Sequence, residues 1–228
     1  MSNATEARRL LRSHRYGALS TLSKRLDGAP FGSITPYLTD HDGSLIILIS
    51  ALAEHTRNIE HDPRVSLITH NQRDPDIQMQ GRVTMAGTAR RLHDQQQPRY
   101  LRQFPEAAFL TTLDFSFYRL QPVAIRYIGG VGRIHWINMQ TYLVPQAAAF
   151  AQHEEAWLLE INSQQQENMC RLLQQHHGVE VSDAEAIALD CDGLDLRSGE
   201  HVWRLDFADA LTDPLQFKQL SGLNYLTP

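Results

Sequence analysis

The chain contains, at residues 44–69, the stretch SLIILISALAEHTRNIEHDPRVSLIT, and this stretch decides the fold. Residues 44–50 are almost all aliphatic, which predicts a strand that is buried on both faces. Residues 51–60 carry apolar side chains at helical spacing, and Asp62-Pro63 ends this helix because the residue before a proline avoids the helical region. Residues 64–69 alternate between apolar and polar, as a half-buried strand does.

The segments on both sides of this stretch predict further antiparallel strands. Asp27-Gly28 is a hairpin turn signal, Pro36 indicates an edge or bulged position, and Gly81 and Gly87 are candidate bulges. The segment at 115–128 is interpreted as a fifth and a sixth strand before Gly129-Gly130-Val131-Gly132 breaks the pattern. The predicted strands cover residues 18–23, 31–39, 44–50, 64–69, 77–91, 115–128 and 133–137, where 77–91 is either a strand pair or one bent strand.

The character of the sequence changes near residue 140. Residues 147–173 have apolar side chains at helical spacing, and Gly178 is a typical residue after a helix C-terminus. Residues 184–190 and 200–207 predict a hairpin, with a short helix after Pro214. We therefore expect two domains, a mostly antiparallel barrel at residues 1–145 and a small α+β domain at residues 146–228.

Composition excludes several classes of protein. The 228 residues carry a net charge of −5, which argues against a nucleic-acid-binding module. Cys170 and Cys191 form no CxxC pair, so neither a zinc ribbon nor a thioredoxin-type motif is present. The longest apolar run, at residues 45–49, is far too short to span a bilayer, and no apolar leader is visible. We expect a cytoplasmic protein without a membrane partner.

Two groups of residues are candidates for chemistry in the first domain. The start of the predicted helix carries His55, Arg57 and Asn58, and a helix start can present such groups to an anion; the alternative is a solvated helix face. Asp114 precedes an apolar strand, where a carboxylate either caps a turn or orients a histidine or a water molecule.

Two further interpretations remain open. His153 lies one turn before Trp157, and it is either an axial metal ligand or a partly buried, hydrogen-bonded core histidine. Arg82, Arg119 and Arg126 alternate with apolar residues in strands. Each is either a surface arginine or part of a clamp for a carboxylate or phosphate.

Three segments together resemble a known family. The runs SALAEHTRNIEHDPRVSL at 50–67, TLDFSFYRLQP at 112–122 and RYIGGVGRIHWI at 126–137 are similar to the haem-utilisation branch of the pyridoxamine 5′-phosphate oxidase-like split-barrel superfamily. The resemblance implies an α+β fold, with a six-stranded antiparallel split barrel, flanking helices and a small C-terminal α+β domain. It also implies a homodimer whose ligand lies in a cleft shared by both subunits.

The resemblance offers two cofactors, FMN and haem. Flavin-binding members hold the FMN phosphate with a Ser-Arg-Lys clasp, which here falls on Ala53-Glu54-His55. A phosphate beside Glu54 would be repelled, although Arg57 or Arg82 can partly substitute. Asp114 matches a family position whose carboxylate forms a hydrogen bond near the haem ligand. The His-Met-Asn-x-Asp-His signature of the C-terminal domain reads INSQQQ here, at 161–166, so both histidines and the acid are absent.

These observations favour a dimeric haem-binding protein of haem and iron utilisation, with oxidative haem degradation as its candidate reaction. The expected site consists of Asp114 as the catalytic group, His55, Arg57, Asn58 and Arg82 at the cofactor, and His153 as cofactor and metal ligand. One alternative is an FMN-dependent oxidoreductase of the same fold. The other is a non-catalytic binding or regulatory protein.

Overall fold

The computed structural model describes residues 1–71, 76 and 78–219, which form two compact units. The first spans Ser2–Leu143 and contains one large antiparallel sheet, while the second runs from Val144 onward and contains a three-stranded sheet. Each unit has its own hydrophobic core. The predicted fold class is confirmed: an antiparallel split barrel with flanking helices, joined to a small α+β unit.

Eight strands and five helices make up the described part of the first unit. The strands are β1 (Tyr16–Leu22), β2 (Pro30–Pro36), β3 (Leu38–Thr39), β4 (Leu45–Ser50), β5 (Arg64–His70), β6 (Arg82–Arg91), β7 (Phe115–Ile128) and β8 (Ile134–Ile137). The helices are α1 (Asn3–Arg12), α2 (Glu54–His61), α3 (Pro98–Gln103), α4 (Ala107–Leu110) and α5 (Met139–Tyr142).

The strands follow the order β2-β1-β5-β6-β7-β4-β3, and β8 also pairs with β7. β7 is the longest strand, with 14 residues, and it carries most of the pairing. It pairs with β6 along nearly its whole length, with β4 over its first half and with β8 over its last four residues. This pairing places the end of β4 directly beside the start of β7, where Ser50 lies opposite Phe115.

The continuous apolar run of β4 is explained by burial on both faces of the strand. Ile47 and Ile49 point into the barrel, while Ile46 and Leu48 pack with α3 in a separate cluster on the other side of the sheet. All four side chains are almost fully buried. The prediction of a strand buried on both faces is therefore confirmed.

The prediction of two strands in residues 115–128 is wrong, because β7 runs without a break. Pro122 lies opposite Gly87 at a shift in the β6–β7 register, and the strand continues through it. A Cβ atom on Gly87 would collide with the Gln121 carbonyl oxygen, so a residue without a side chain is required there. The predicted bulge at Gly87 is thus confirmed. Gly81, the other candidate bulge, lies just before β6 and not within it. The predicted strand start at Ile77 falls outside the described residues.

The second unit differs from its prediction in two ways. The expected long helix at 147–173 is two helices, and a third strand lies between the two expected ones. The second unit contains α6 (Ala147–Gln164), α7 (Gln166–His177), α8 (Leu215–Gln219), β9 (Glu185–Asp190), β10 (Gly193–Ser198) and β11 (His201–Asp206). The core forms where the apolar faces of α6 and α7 meet this sheet.

One buried ion cluster lies inside the second unit. Arg204 donates to Asp190 at 2.6 Å and to Asp195 at 3.2 Å, and its side chain is only 6% exposed. Burial alone would lower the pKa of Arg204, but the aspartates raise it well above its ordinary value. The cluster therefore links β9, β10 and β11 through one permanently charged side chain.

Among the described residues, no helix combines the length and the apolar character that crossing a membrane would require.

Candidate functional site

Asp114 lies directly before β7 and is tied to the end of β4. Its carboxylate accepts a hydrogen bond from the Ser50 hydroxyl at 2.5 Å, and its backbone carbonyl accepts one from the Ala51 N–H at 3.0 Å. Ser50 Oγ accepts from the Leu52 N–H at 3.0 Å. Hydrogen bonding by Ser50 lowers the pKa of Asp114, so this exposed carboxylate is ionised at neutral pH. Asp114 is therefore an anion that also fixes the loop leading into α2.

The first turn of α2 carries groups of both charges. The N-cap residue Ala53 offers no side-chain hydrogen bond, and the next residue, Glu54, is acidic. The exposed Arg57 guanidinium lies 3.9 Å from the Glu54 carboxylate. His55 is half-buried, and burial lowers its pKa, so its imidazole is neutral at pH 7. The helix start thus presents one cation, one anion and one neutral imidazole.

Ser50 brings Asp114 and this helix start together. The Thr56 hydroxyl donates to the Ser50 backbone carbonyl at 2.7 Å, so the first turn of α2 packs against the same strand end that holds Asp114. The structure therefore unites three of the predicted site residues, Asp114, His55 and Arg57, at one end of the barrel.

Asn58 was expected at the cofactor, but its side chain is fully buried. Its amide donates to Thr21 Oγ1 at 3.0 Å, and its carbonyl oxygen accepts from the Lys24 N–H at 3.0 Å. Both functional groups of the amide are thus engaged within the protein. Asn58 holds the β1–β2 turn against α2 and does not present a free polar group at the surface.

The structure adds residues that sequence reasoning missed. Arg91, at the end of β6, donates to the Ser116 hydroxyl at 2.8 Å, and Ser116 lies two residues after Asp114. The Tyr118 hydroxyl faces the Glu60 carboxylate of α2 at 3.5 Å. The β6–β7 register, in which Arg91 pairs with Tyr118, brings Arg91 to β7, and no local sequence motif marks that pairing.

An exposed apolar rim flanks these polar groups. Leu52 is 72% exposed, and Leu113, the residue before Asp114, is 51% exposed. Phe109, on α4 and one helical turn before Leu113, is 68% exposed. Apolar side chains at this level of exposure, beside an ionised carboxylate, are typical of a surface that binds a partly apolar ligand.

The other predicted arginines lie elsewhere in the barrel. Arg82 pairs with Ile128, the last residue of β7, at the opposite end of that strand from Asp114. Arg119 is bound within the fold, at 2.7 Å from Asp40, and Arg126 lies over the Trp136 ring at 5.0 Å. The structure therefore does not bring Arg82 to the Asp114 end of its own barrel.

His153 lies on α6 of the second unit. Its imidazole is exposed and stacks on the Trp157 ring at 5.2 Å, so the alternative of a buried core histidine is not what the structure contains. Asp190, Cys191 and Asp192 form a group of potential metal ligands among the described residues, and His153 is not part of it. These three residues are buried, and both carboxylate oxygens of Asp190 bond to Arg204.

A family model now accounts for the barrel. The model described as pyridoxamine 5′-phosphate oxidase matches residues 4–129, which is more than half of the chain. The chain belongs to the pyridoxamine 5′-phosphate oxidase family. Residues Ser50, Asp114 and the whole of α2 lie inside the matched range.

Within the pyridoxamine 5′-phosphate oxidase family, the expected resemblance to the haem-utilisation branch is confirmed. The chloroplastic heme oxygenase HOZ of Arabidopsis thaliana is 29% identical over 202 residues, which is 85% of this chain and 62% of that protein, so this chain spans less than two thirds of its relative. A heme binding protein from Mycobacterium smegmatis shares 26% identity, with a TM-score of 0.57, over 96% of this chain and 94% of that one. A protein of unknown function from Agrobacterium tumefaciens shares 26% identity, with a TM-score of 0.76, over 95% and 92%.

The family name points to FMN, but the residues of this family member do not fit its phosphate. The position of the clasp is occupied by Ala53, which has no polar side chain, by the Glu54 carboxylate and by the half-buried, neutral His55. Arg57, the nearby cation of α2, already faces Glu54. A doubly charged phosphate would meet one anion and no unpaired cation in this turn. The first turn of α2 therefore does not fit the phosphate of FMN.

Haem makes different demands on the same end of this family member. It needs apolar contact surface, polar groups near the iron and cations for two carboxylates. Leu52, Leu113 and Phe109 supply exposed apolar surface, and Asp114 supplies an ionised acceptor. The donor set therefore fits haem better than it fits a phosphate ligand.

Proposed function

We propose that the chain is a haem-binding protein of haem and iron utilisation, acting as a homodimer, with oxidative haem degradation as its reaction. The observation that carries this proposal is the Asp114–Ser50 pair, an ionised carboxylate held between exposed apolar residues at a strand end. The heme oxygenase of Arabidopsis and the heme binding protein of M. smegmatis support it as relatives. Our proposal treats residues 1–145 and 146–228 as two domains.

The residues take separate roles in this proposal. Haem supplies, when bound, the redox-active iron at which oxygen chemistry takes place. Asp114 accepts a hydrogen bond from a histidine or a water molecule and holds it in one orientation, because Ser50 fixes the carboxylate. His55 and Arg57 line the polar side of the site, and Asn58 keeps α2 in position from behind.

His153 is the proposed axial ligand. Its imidazole is exposed, and stacking on Trp157 restricts its orientation without occupying either ring nitrogen. A neutral imidazole nitrogen is the usual protein ligand of haem iron. We also propose a cytoplasmic location, since Cys170 and Cys191 are both free, as suits a reducing compartment.

The outer face of the sheet supports the homodimer. A cross-strand row on this face passes through strands β2, β1, β5, β6, β7 and β8 and is about 24 Å wide, at about 4.8 Å per strand. Its outermost residues, Ile34 and Trp136, are 69% and 68% exposed. The row consists of Ile34, Ala18, Ile68, Thr84, Arg126 and Trp136.

The next row on the same face contains only small residues. Side chains this small allow a second sheet to approach closely, and a two-fold axis would place the same row of a second copy against it. The row consists of Gly32, Ser20, Ser66, Ala86 and Ala124. We therefore propose a second copy of this chain as the occupant of the face.

Sedimentation of a charged variant tests the dimer. Thr84→Glu places a carboxylate in the middle of the cross-strand row, and we expect it to convert a dimer to a monomer. Gln121→Glu makes the same change of charge at an exposed residue of β7 outside the row, and it should stay dimeric. A wild-type protein that sediments as a monomer at all concentrations would contradict this part of the proposal.

Titration with haemin tests the ligand. We expect a saturable Soret band at micromolar haemin, a shift or loss of that band in His153→Ala, and slower reductant-driven loss of the band in Asp114→Asn. Absence of saturable binding would refute the proposal. Binding without any turnover would favour the alternative of a non-catalytic binding protein, and a yellow protein with a flavin spectrum would favour the FMN-dependent oxidoreductase.

A further inference from the structure

The β1–β2 turn carries the pair Asp27-Gly28 at its tip, and the proposed function does not use it. Residues 24–30 are all exposed. Among the described residues, Asp27 is the one non-glycine residue with a positive φ, at 51°, and this left-handed backbone is unfavourable for an L-residue. Gly28 has a φ of 81°, and the space that a Cβ atom would occupy there is open. The turn is therefore exposed, strained at Asp27 and unpacked at Gly28.

An Asp-Gly pair can rearrange without any enzyme. The glycine nitrogen attacks Cγ of the protonated aspartate carboxyl group, a C–N bond forms, and the amide proton leaves with the carboxyl hydroxyl as water, which closes a succinimide ring. Glycine favours this step because it has no side chain to shield the nitrogen. Water then opens the ring at either carbonyl. Opening at the main-chain carbonyl carbon produces isoaspartate, whose main chain runs through Cβ and Cγ, and opening at Cγ restores aspartate.

Asp42-Gly43, one of the two other Asp-Gly pairs of the chain, is held by its surroundings. Asp42 accepts hydrogen bonds from the Ser44 N–H at 2.8 Å and from the Ser44 hydroxyl at 2.6 Å. Its carboxylate lies 3.3 Å from the Arg119 guanidinium, which favours the charged form over the protonated form that reacts. A Cβ atom on Gly43 would lie 2.9 Å from the Tyr142 ring, so this glycine is closely packed. The fold thus opposes the reaction at Asp42.

Asp192-Gly193, the remaining pair, is buried. Asp192 is 0% exposed, and Gly193 begins β10, where it pairs with Asp190 and Asp206 on the two neighbouring strands. A Cβ atom on Gly193 would collide with the Leu205 carbonyl oxygen. Rearrangement at this pair would require the three-stranded sheet to come apart. Of the three Asp-Gly pairs, the one in the β1–β2 turn is therefore the accessible one in the folded chain.

Opening of the turn controls access to the Gly28 nitrogen. The Gly28 N–H donates to the Ser23 carbonyl at 2.8 Å, so this hydrogen bond has to open before the nitrogen reacts. Such an opening involves the exposed turn and leaves the paired strands β1 and β2 in place. Asn58 holds the turn from the side of α2, because its carbonyl oxygen accepts from the Lys24 N–H at 3.0 Å. The rate of rearrangement therefore depends on how firmly this contact restrains the turn.

We propose that Asp27 is a site of isoaspartate formation through a succinimide, and that the fold protects Asp42 and Asp192. This modification site is separate from the proposed function and needs no ligand. Isoaspartate adds one carbon atom to the main chain of the turn, between Lys24, which Asn58 holds, and the start of β2. The rearrangement also frees an α-carboxylate on the exposed turn, and this is the group that isoaspartate-specific methyltransferases recognise.

Ageing of the full-length protein in heavy-oxygen water tests the proposal. Ring opening inserts one labelled oxygen atom, so peptide mapping by mass spectrometry locates the site, and electron-transfer fragmentation separates isoaspartate from aspartate. We expect label and isoaspartate in the peptide that contains Asp27, and neither in the peptides that contain Asp42 and Asp192. In urea, where the fold protects none of the three pairs, all three should rearrange at similar rates.

Three variants test the role of the turn. Asp27→Glu should abolish the reaction there, because ring closure through a longer side chain is much slower. Arg25→Gln, an exposed change in the same turn, is the matched control and should leave the rate unchanged. Asn58→Ala removes the acceptor for the Lys24 N–H and should speed the reaction at Asp27. The same variant should leave Asp42 unmodified, since the opening is local to the turn.

Two results would overturn the inference. If the native protein forms no isoaspartate at Asp27 while the urea-unfolded protein does, the folded turn protects this pair as well. If Asp27 and Asp42 rearrange at the same rate in the native protein, the reaction proceeds through unfolding of the barrel unit, and the exposed turn has no part in it. Neither result bears on haem binding, so a failure of this inference is distinguishable from a failure of the proposed function.

Discussion

Asn58→Ala should destabilise the barrel unit by about 2–3 kcal/mol. The side chain is fully buried and makes two hydrogen bonds of 3.0 Å, to Thr21 Oγ1 and from the Lys24 N–H. Each lost hydrogen bond removes about 1 kcal/mol, and leaving the Lys24 N–H without a partner removes about 1 kcal/mol more. The higher helix propensity of alanine returns about 0.5 kcal/mol.

Urea unfolding followed by tryptophan fluorescence measures this change. Trp136 is the only tryptophan in residues 1–145, whereas the other two lie in the second unit, so its emission reports on the barrel. In thermal unfolding the same loss of stability should lower the melting temperature by about 5–10 °C, since each kcal/mol corresponds to about 2–4 °C. Arg57→Ala, one residue earlier and exposed, is the matched control and should change stability by less than about 0.5 kcal/mol.

The result distinguishes a structural role from a ligand-binding one. If Asn58→Ala unfolds within about 0.5 kcal/mol of wild type yet binds haemin more weakly, the assignment of its amide to the fold is wrong. If the variant is destabilised as expected and Thr21→Ala adds little on top of it, the two side chains act as one hydrogen-bonded unit.

Three further predictions follow from the described contacts. Arg204→Met leaves buried aspartates unpaired and should destabilise the second unit by about 3–5 kcal/mol in urea unfolding; an unchanged midpoint would contradict the buried cluster. Burial lowers the pKa of His55 in the folded protein, so the unfolded chain binds a proton at this imidazole more readily. The free energy of unfolding should therefore fall as the pH drops from 7 through the folded-state pKa of His55. His55→Gln should flatten this part of the stability–pH curve, and an unaltered slope would show that His55 does not titrate there. Gly87→Ala should lower the melting temperature or prevent folding, because its Cβ would collide with the Gln121 carbonyl. Gly81→Ala, whose Cβ would lie 3.8 Å from its nearest neighbour, should melt close to wild type, and equal melting of the two variants would refute the steric argument.

Local sequence patterns predicted those elements of the barrel whose conformation depends on a short segment alone. The apolar run of β4 could only be a strand buried on both sides, and Pro63 ended α2 by its effect on the preceding residue. The same reasoning failed for residues 115–128, which were expected to form two strands, because the bulge at Gly87 accommodates Pro122, a residue that cannot donate a hydrogen bond. Whether a proline interrupts a strand depends on the partner strand, and one segment alone does not contain that information.

In the second unit, too, local patterns did not reveal where elements begin and end. Residues 184–190 and 200–207 were expected to pair as one hairpin. Two turns, at residues 191–192 and 199–200, separate them instead, and Gly193–Ser198 between these turns forms β10. The helical pattern of 147–173 contains no glycine or proline, so nothing in it marked the end of α6 at Gln164. That break is set by how α6 and α7 pack on the sheet, which is a tertiary effect.

The residues of the candidate site also depend on strand pairing that the local sequence does not reveal. Asp114 could be found from the sequence because a motif surrounds it, but its partner Ser50 is 64 residues away, and Arg91 is 25 residues from Ser116. Both pairs exist because β7 takes β4 and β6 as neighbours in one register, and a shift by one residue would turn each side chain to the other face. The β4–β7 register places an ionised carboxylate at the start of β7, while Glu54 disfavours a phosphate at the helix start nearby. A ligand with a large apolar body and no phosphate suits both features, so the pairing of the strands, more than any single residue, supports the proposed haem ligand.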